Sequence, residues 1–318
     1  MKVLITAPMY CGDGMKDVMK YARESFDEVI LNPYGRAMTQ DEIAALWDGV
    51  DALIAGVELY DAAFLSKAPE SLKVIARNGI GYDNVDVAAA KERGITVTVT
   101  RQANSDAVAD CTFAMMLAVV RQIPQMDLSV RTGKWGHCVA ADVNHKTLGI
   151  LGFGAIGKAV AKRAIGFDMK VLAYDPYFDQ AAADKLGVQK ASIDEILEQS
   201  DFVTLHMPVT AETRGMIDQT ALSKMKPSAY LINCARGQLV NEDDLTQALK
   251  NHEIRGAALD VFCTEPLRES PLFELENTVF LPHLGGHSEG ATHNMGVMNI
   301  DNILAVLGGK PCKNVVTA

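Results

Sequence analysis

Residues 146–157 read KTLGILGFGAIG, an apolar run that leads directly into the pattern G-x-G-x-x-G. A helix-like segment, 158–167, follows without a break. A strand, a glycine turn and a helix in this order can bind the pyrophosphate of a dinucleotide, because the first helical amides are unpaired and point at the phosphates. Gly152 permits the tight turn, Gly154 lets the pyrophosphate approach the backbone, and Gly157 permits close packing of the helix on the strand. The stretch predicts a dinucleotide site, with a structural glycine turn or a methyl-donor nucleotide site as the alternatives.

A carboxylate, Asp175, ends the next predicted strand, 170–174. In that position it can accept hydrogen bonds from both hydroxyls of the adenosine ribose, and it would repel a 2′-phosphate. Pro176 and Tyr177 follow it, so no arginine stands there to receive such a phosphate. The pattern favours NAD over NADP.

Short β-branched runs alternate with helical patterns on both sides of one long apolar stretch, 105–123. This alternation is typical of parallel sheets with crossover helices. One of the helical patterns starts with a predicted capping box, Thr39 with Glu42. The predicted strands are 2–7, 28–32, 51–57, 72–76 and 95–100, then 147–152, 170–174, 202–206, 229–234, 256–261 and 278–281. We predict an α/β fold with two doubly wound parallel-sheet domains, a Rossmann cofactor domain inserted in a flavodoxin-like substrate domain.

The domain boundaries are predicted from two further helical patterns. Residues 105–123 contain no glycine or proline and are apolar nearly all round, which predicts one buried helix at the joint between the domains. The last pattern, 289–307, could pack on either domain, and we predict that it returns to the first. The resulting prediction is a substrate-binding domain of residues 1–100 plus 288–318 and an NAD-binding domain of residues 101–287.

Composition excludes several classes of protein. The 318 residues carry 30 Lys plus Arg against 40 Asp plus Glu, a net charge of −10. The absence of basic runs argues against binding to nucleic acid. No apolar run approaches the roughly 18 residues of a membrane span, and the N-terminal run is interrupted too soon for a signal peptide. The six cysteines lack metal-ligand spacing, so we expect a cytoplasmic protein with reduced thiols and no metal.

Three polar residues follow late strands of the second predicted sheet. Arg236 follows 229–234, Glu265 comes shortly after 256–261, and His283 follows 278–281. Singly, each has an ordinary explanation as a helix cap, a loop carboxylate or a core histidine. Ligands of open parallel sheets bind outside the carboxyl ends of the strands. We therefore predict that the three side chains meet in one crevice.

The motifs taken together indicate a family. They are residues 77–86 (RNGIGYDNVD), 104–110 (NSDAVAD), 152–157 (GFGAIG), 174–177 (YDPY), 234–237 (CARG), 260–266 (DVFCTEP) and 282–286 (PHLGG). With these motifs, essentially the whole chain resembles the D-isomer-specific 2-hydroxyacid dehydrogenases, and within them the D-3-phosphoglycerate dehydrogenase branch.

The resemblance implies a role for each matching residue. Arg236 would bind the substrate carboxylate and polarise the C2 oxygen, His283 would be the acid/base, and Glu265 would be its partner. The substrate would contact Arg77, Asn78, Gly79, Ile80, Arg236 and His283. The expected cofactor-binding residues are Gly152, Gly154, Ala155, Ile156, Gly157, Asp175, Met207, Cys234, Ala235, Arg236, Asp260, His283, Gly285 and Gly286, with Asp260 holding the nicotinamide carboxamide. The family also implies a homodimer formed through the cofactor domains.

The chain departs from phosphoglycerate dehydrogenases where a phosphate would bind. Residues 55–58 read AGVE, without arginine, and residues 136–142 read GHCVAAD, without the expected cations. A dianionic phosphate near Glu58 and Asp142 would be poorly compensated. The chain's end at Ala318 leads us to expect no C-terminal regulatory domain.

A second departure concerns histidines. His287 and Ser288 follow Gly286, where small residues are usual. His287 or His137 could bind a polar substrate, although either could equally be a solvent-exposed loop side chain.

The predicted function is NAD-dependent oxidoreduction between a D-2-hydroxyacid and its 2-oxoacid. The alternatives are phosphoglycerate dehydrogenase proper and a non-enzymatic, NAD(H)-sensing protein of the corepressor type.

Overall fold

Strands and helices alternate along the chain in the computed structural model, which describes residues 1–317. The strands are β1 (Lys2–Ile5), β2 (Glu28–Leu31), β3 (Ala52–Ala55), β4 (Val74–Arg77), β5 (Thr96–Thr98), β6 (Thr147–Leu151), β7 (Lys170–Tyr174), β8 (Gln189–Lys190), β9 (Phe202–Leu205), β10 (Tyr230–Asn233), β11 (Gly256–Leu259) and β12 (Thr278–Phe280). The helices are α1 (Lys16–Ser25), α2 (Gln40–Ala44), α3 (Ala62–Leu65), α4 (Val87–Glu92), α5 (Ser105–Val120), α6 (Ile123–Arg131), α7 (Ala155–Ala164), α8 (Gln180–Leu186), α9 (Ile193–Gln199), α10 (Gln219–Lys224), α11 (Glu242–Lys250) and α12 (Glu289–Leu307).

The chain divides into two units. Met1–Asn104 forms the first unit with the described residues from His287 onward, and Ser105–Gly286 forms the second. The five strands of the first unit are all parallel, in the order β2-β1-β3-β4-β5. This is the flavodoxin-like order, with helices on both faces of the sheet. The doubly wound first sheet is therefore confirmed.

The last helix belongs to the first unit. Helix α12 packs against α1 and β4. Beyond it, the chain lies along the edge strand β5, where Thr98 forms an antiparallel bridge with Val315. Covering this edge satisfies backbone groups that would otherwise be unpaired.

The second unit contains a seven-stranded parallel sheet. Its strand order is β12-β11-β10-β9-β6-β7-β8, which is the doubly wound Rossmann order with one further strand. Strand β8 was not predicted, because its two residues are exposed and show no apolar alternation. The fold predicted for this part of the chain is confirmed.

The single helix predicted over 105–123 is wrong at its C-terminal end. Helix α5 stops at Val120, Gln122 adopts a left-handed conformation with φ 49°, and α6 starts at Ile123. Pro124 lies in the first turn of α6, where its missing N–H costs nothing. The two helices therefore form a pair bent by 61° instead of one rod.

Helices α5 and α6 differ in their packing. Helix α5 is buried along most of its length against α7, β10 and β11, whereas none of the residues of α6 is buried. Within residues 1–317 no single helix is long and apolar enough to cross a membrane, and only the bent pair α5 and α6 meets the length and composition requirements when the two are joined.

The predicted capping box is confirmed. The Thr39 hydroxyl accepts a hydrogen bond from the Glu42 N–H at 3.2 Å, and the Glu42 carboxylate accepts one from the Thr39 N–H at 2.8 Å. These two bonds satisfy donors that have no partner inside α2.

Candidate active site

The glycine turn between β6 and α7 has one crowded side and one open side. Gly152 has a φ of 105°, and a Cβ there would lie 2.6 Å from the His206 carbonyl carbon. A Cβ on Gly157 would lie only 2.0 Å from the Gly152 oxygen, whereas a Cβ on Gly154 would meet nothing within 4 Å. The crowding is thus inside the protein, and the space beside Gly154 is left for a ligand.

Helix α7 begins at Ala155, three residues before the predicted 158–167 segment. The predicted helix start is therefore wrong, because the glycine motif itself supplies the first turn. The first amides of a helix have no carbonyl partner within it, so those of Ala155, Ile156 and Gly157 belong to the set that a phosphate can satisfy. The turn fits the pyrophosphate of a dinucleotide.

Asp175 lies directly after β7 and is tied to the glycine turn. Its two carboxylate oxygens accept hydrogen bonds from the N–H groups of Phe153 and Tyr177, each at 2.8 Å. A carboxylate offers about four acceptor sites, so the side chain can also accept from ribose hydroxyls. Met207, a further predicted cofactor-binding residue, is buried in the loop after β9.

The three predicted catalytic residues line one pocket. β10, β11 and β12 are parallel neighbours, and Arg236, Glu265 and His283 follow their carboxyl ends. Parallel pairing sends all three loops to the same edge of the sheet. The other residues that line the pocket are Gly237, Gln238, Phe262 and Cys263.

His283 and Glu265 form the central contact of this pocket. The His283 Nδ1 lies 2.7 Å from one Glu265 oxygen, and the other oxygen accepts a hydrogen bond from the Phe262 N–H at 3.0 Å. Burial works to raise the pKa of Glu265, but the bonds from His283 and Phe262 and the positive charge of Arg236 outweigh it and lower that pKa. The carboxylate is therefore charged at neutral pH and holds Nδ1 as the donor.

Asp260 shapes the turn that carries His283. It is 1% exposed, and its two oxygens accept hydrogen bonds from the N–H groups of Leu284 and Gly285, both at 2.7 Å. Burial raises the pKa of Asp260, these two bonds and the charge of His283 act to lower it, and the charge of Glu265 adds to the rise. A Cβ on Gly285 would lie 2.8 Å from the Asp260 carboxylate, so a side chain there would push against the group that holds the turn.

The Arg236 loop is braced by Asn233, a residue that the sequence did not single out. Asn233 is buried at the end of β10, accepts from the Ala235 N–H at 3.0 Å and donates to the Arg236 carbonyl at 2.8 Å. The Arg236 guanidinium donates to the Ala235 carbonyl at 2.7 Å. An asparagine that ends an otherwise apolar strand was the available signal. Cys234 and Ala235 lie in this loop, and Gly286 follows Gly285 in the turn after β12.

The predicted substrate loop, Arg77 to Ile80, lies in the first unit after β4. The Asn78 side-chain oxygen accepts from the Tyr10 hydroxyl at 3.2 Å and from the Asn299 amide at 2.9 Å. Neither partner was predicted. Gly79 has a φ of 145°, and its carbonyl accepts a hydrogen bond from the Thr100 N–H at 3.0 Å.

Arg77 also braces this loop. Its guanidinium donates to the Asn84 side chain at 3.3 Å and to the Asn78 carbonyl. These hydrogen bonds brace the loop within the first unit.

The residues that argued against a phosphate lie in different environments. Glu58 is buried in the first unit, where its carboxylate accepts from the Thr6 hydroxyl at 2.9 Å and from the Met38 N–H at 3.3 Å. Asp142, His137 and His287 are exposed. Glu58 thus serves as a buried hydrogen-bond acceptor within the first unit.

The chain matches the family model of the D-isomer specific 2-hydroxyacid dehydrogenase, NAD binding domain, over residues 113–285. It is 37% identical over 318 residues to D-3-phosphoglycerate dehydrogenase of Methanocaldococcus jannaschii, covering 99% of this chain and 59% of that protein. It is 41% identical over 277 residues to glyoxylate reductase of Thermococcus litoralis, covering 84% of this chain and 83% of that protein. The crystal structure of the TT0316 protein from Thermus thermophilus is similar with a TM-score of 0.87 and 35% identity, covering all of both chains.

The chain therefore belongs to the D-isomer specific 2-hydroxyacid dehydrogenase family. Within the family it is like the phosphoglycerate dehydrogenases, as predicted. It spans 59% of the length of the Methanocaldococcus relative and about half the length of others of that name. The matched domain identifies NAD as the cofactor, and the open side of the glycine turn leaves space for its pyrophosphate.

Two alanine substitutions separate folding from cofactor binding. We expect Gly157→Ala to destabilise the protein by about 3 kcal/mol, because its Cβ overlaps backbone. Gly154→Ala should cost less than about 1 kcal/mol, since only the helix N-cap preference changes. The same Gly154→Ala should weaken NADH binding roughly tenfold or more, a loss of about 1.4 kcal/mol. Urea unfolding measures the stability of each variant, and fluorescence titration measures its affinity for NADH. An unchanged NADH affinity in Gly154→Ala would show that the pyrophosphate does not bind at this turn.

Proposed function

We propose that the protein is an NAD-dependent oxidoreductase that interconverts a D-2-hydroxyacid and its 2-oxoacid. The observation that carries this proposal is the meeting of Arg236, Glu265 and His283 in one pocket, with His283 hydrogen-bonded to Glu265. Conversion of a 2-hydroxyacid requires that its carboxylate is bound and that a proton is transferred at its C2 oxygen. An arginine can bind the carboxylate, and a histidine–carboxylate pair can transfer the proton.

Each of the three side chains has a distinct task. Arg236 grips the substrate carboxylate with two parallel hydrogen bonds and polarises the C2 oxygen. His283, whose Nδ1 is held by Glu265 at 2.7 Å, exchanges a proton with the C2 oxygen through Nε2. Glu265 stabilises the imidazolium. NADH, when bound, supplies the hydride that C2 of the 2-oxoacid receives.

Residues of the first unit are also proposed to bind the substrate carboxylate. The backbone amides of Asn78, Gly79 and Ile80 would donate to it. Tyr10 and Asn299 both donate to the side-chain oxygen of Asn78, so they are positioning residues for this loop. Asp175 is proposed to select NAD over NADP through the ribose hydroxyls.

We propose an unphosphorylated 2-oxoacid, such as glyoxylate or hydroxypyruvate, as the substrate. Residues 55–58 and 136–142 offer no arginine or lysine to a phosphate. The buried carboxylate of Glu58 would act against a dianion in its neighbourhood. Glyoxylate reductase is also the name of the relative from Thermococcus litoralis.

The decisive experiment measures consumption of NADH and NADPH with a panel of 2-oxoacids that includes glyoxylate, hydroxypyruvate and phosphohydroxypyruvate. We expect turnover of the unphosphorylated acids with NADH. The highest kcat/KM for phosphohydroxypyruvate would identify phosphoglycerate dehydrogenase activity instead. NADH binding without turnover of any acid would favour the NAD(H)-sensing alternative.

Replacing the acid/base tests the chemistry directly. His283→Ala should lower kcat by about 100-fold or more, because general acid–base catalysis contributes about 10² to 10⁴. NADH affinity should change little, and fluorescence titration provides that control. Turnover close to that of the wild type would exclude His283 from proton transfer.

The pH dependence tests the pairing with Glu265. Reduction needs the protonated imidazole, and the Glu265 carboxylate, whose pKa is lowered, favours that form. Glu265→Gln removes the negative charge that accepts the hydrogen bond from the imidazole, so the protonated form loses its charged partner. The alkaline limb of kcat/KM for reduction should therefore move to lower pH by about one unit, the equivalent of about 1.4 kcal/mol. An unchanged profile would contradict the pairing.

We also propose that two copies of the chain associate through the second unit. Helix α6 buries none of its residues, and the apolar side chains of Leu128, Val130, Trp135 and Val139 are exposed there, Val139 by 94%. Four exposed apolar side chains within residues 128–139 favour an interface here. The family resemblance implies a second copy of the chain as the partner at this surface.

A cytoplasmic location is likewise a proposal, supported by six free cysteines.

Sedimentation velocity tests this interface. The wild type should sediment as a dimer, and the double variant Trp135→Asp with Val139→Asp should sediment as a monomer, because charged side chains cannot be buried unpaired. Tyr177→Asp is the matched control, since this side chain of the same unit is 92% exposed and lies outside the segment. A dimeric double variant would place the interface elsewhere.

A further inference from the structure

Two of the cysteines lie against each other beneath the Arg236 loop. Cys111 is on α5 and Cys234 directly follows β10, and the two thiols are near enough to influence each other's ionisation. The Cys234 Sγ also lies 3.6 Å from the sulfur of Met115, which is one helical turn after Cys111 on the same helix. The catalytic scheme proposed above gives neither thiol a chemical step.

The two thiols differ in access and in ionisation. Cys111 is partly exposed, whereas Cys234 is 8% exposed and packs in the hydrophobic core. The hydrogen bond from Cys234 lowers the pKa of Cys111, and burial and the charge of Asp260 only partly oppose it. The same contact, with burial, raises the pKa of Cys234. A partly exposed thiol with a lowered pKa, beside a second sulfur, is the arrangement found in redox-sensitive thiol pairs.

We propose that Cys111 and Cys234 are a modification site at which a hydroperoxide forms a reversible disulfide. The Cys111 thiol gives up its proton, and the thiolate attacks one peroxide oxygen and breaks the O–O bond. Cys111 sulfenic acid and hydroxide result, and the hydroxide takes up the proton from the thiol to become water. Cys234 then attacks the Cys111 sulfur, the S–O bond breaks, and the hydroxyl leaves as a second water. Two thiols are thereby oxidised by two electrons, and one hydrogen peroxide is reduced to two waters.

The disulfide would act on the neighbouring site. A covalent bond holds two sulfurs about 2.05 Å apart, closer than two unbonded thiols approach, so the bond would draw Cys234 and α5 together. Cys234 is followed by Ala235 and Arg236, whose backbone is held by Asn233. A shift of Cys234 therefore displaces Arg236. Loss of dehydrogenase activity on oxidation is the expected consequence, and this consequence rests on the proposed function.

The test treats the full chain with hydrogen peroxide and maps its peptides by mass spectrometry. We expect a cross-linked Cys111–Cys234 peptide that is two hydrogen atoms lighter than the two free peptides and that dithiothreitol removes. NADH consumption should fall with the cross-link and return on reduction. Cys111→Ser should keep the basal activity and lose both the cross-link and the reversible inactivation. Cys11→Ser, which removes an exposed thiol of the first unit, should behave as the wild type.

Several results would overturn the proposal. These are sulfinic acid on Cys111 without a cross-link, or disulfides formed only by the exposed Cys11, Cys138 and Cys263. A complete cross-link that leaves the activity unchanged would overturn its effect on Arg236. A cross-link in a protein that turns over no 2-oxoacid at all would support the modification site and reject the proposed function, so the two failures are distinguishable.

Discussion

The parallel pairing of β10, β11 and β12 is the constraint on which the pocket of the second unit depends. Asn233, Leu259 and Phe280, the last residues of the three strands, are aligned in one register. Each crossover returns the chain to the same end of the sheet, so the residues that follow the strands emerge together. Arg236, Glu265 and His283 meet for this reason, and a sheet with one antiparallel strand here would separate them.

Two carboxylates close to His283 divide the work of holding it. Glu265 binds the imidazole, while Asp260 binds the backbone of the turn that carries it. The two carboxylates repel each other, so burying one charge makes it less favourable to bury the other. In both cases hydrogen bonds from backbone N–H groups offset this repulsion. The turn also places His283 in a left-handed conformation with φ 57°. The imidazole is thus oriented by its hydrogen bond to Glu265 and by the backbone conformation of the turn that carries it.

Much of the fold was readable from local pattern. The glycine turn, the capping box of Thr39 and the last helix, Glu289–Leu307, follow from residue types at fixed spacing. The error at the end of α5 has a local cause: Arg121 and Gln122, where the helix ends, are neither glycine nor proline, and Gln122, which bears no signal of its own, takes the left-handed conformation.

The sequence by itself determined the alternation of strands and helices, the dinucleotide turn and the residue types that follow each strand, because these depend on spacing along the chain. Tertiary structure alone decided several pairings between polar groups that are far apart along the chain. Asn78 and Asn299 are separated by 221 residues, Asn233 braces a loop through its buried amide, and Cys111 meets Cys234 across a helix and a strand. Such contacts arise when buried polar groups must find partners in the folded core, and no local pattern records them.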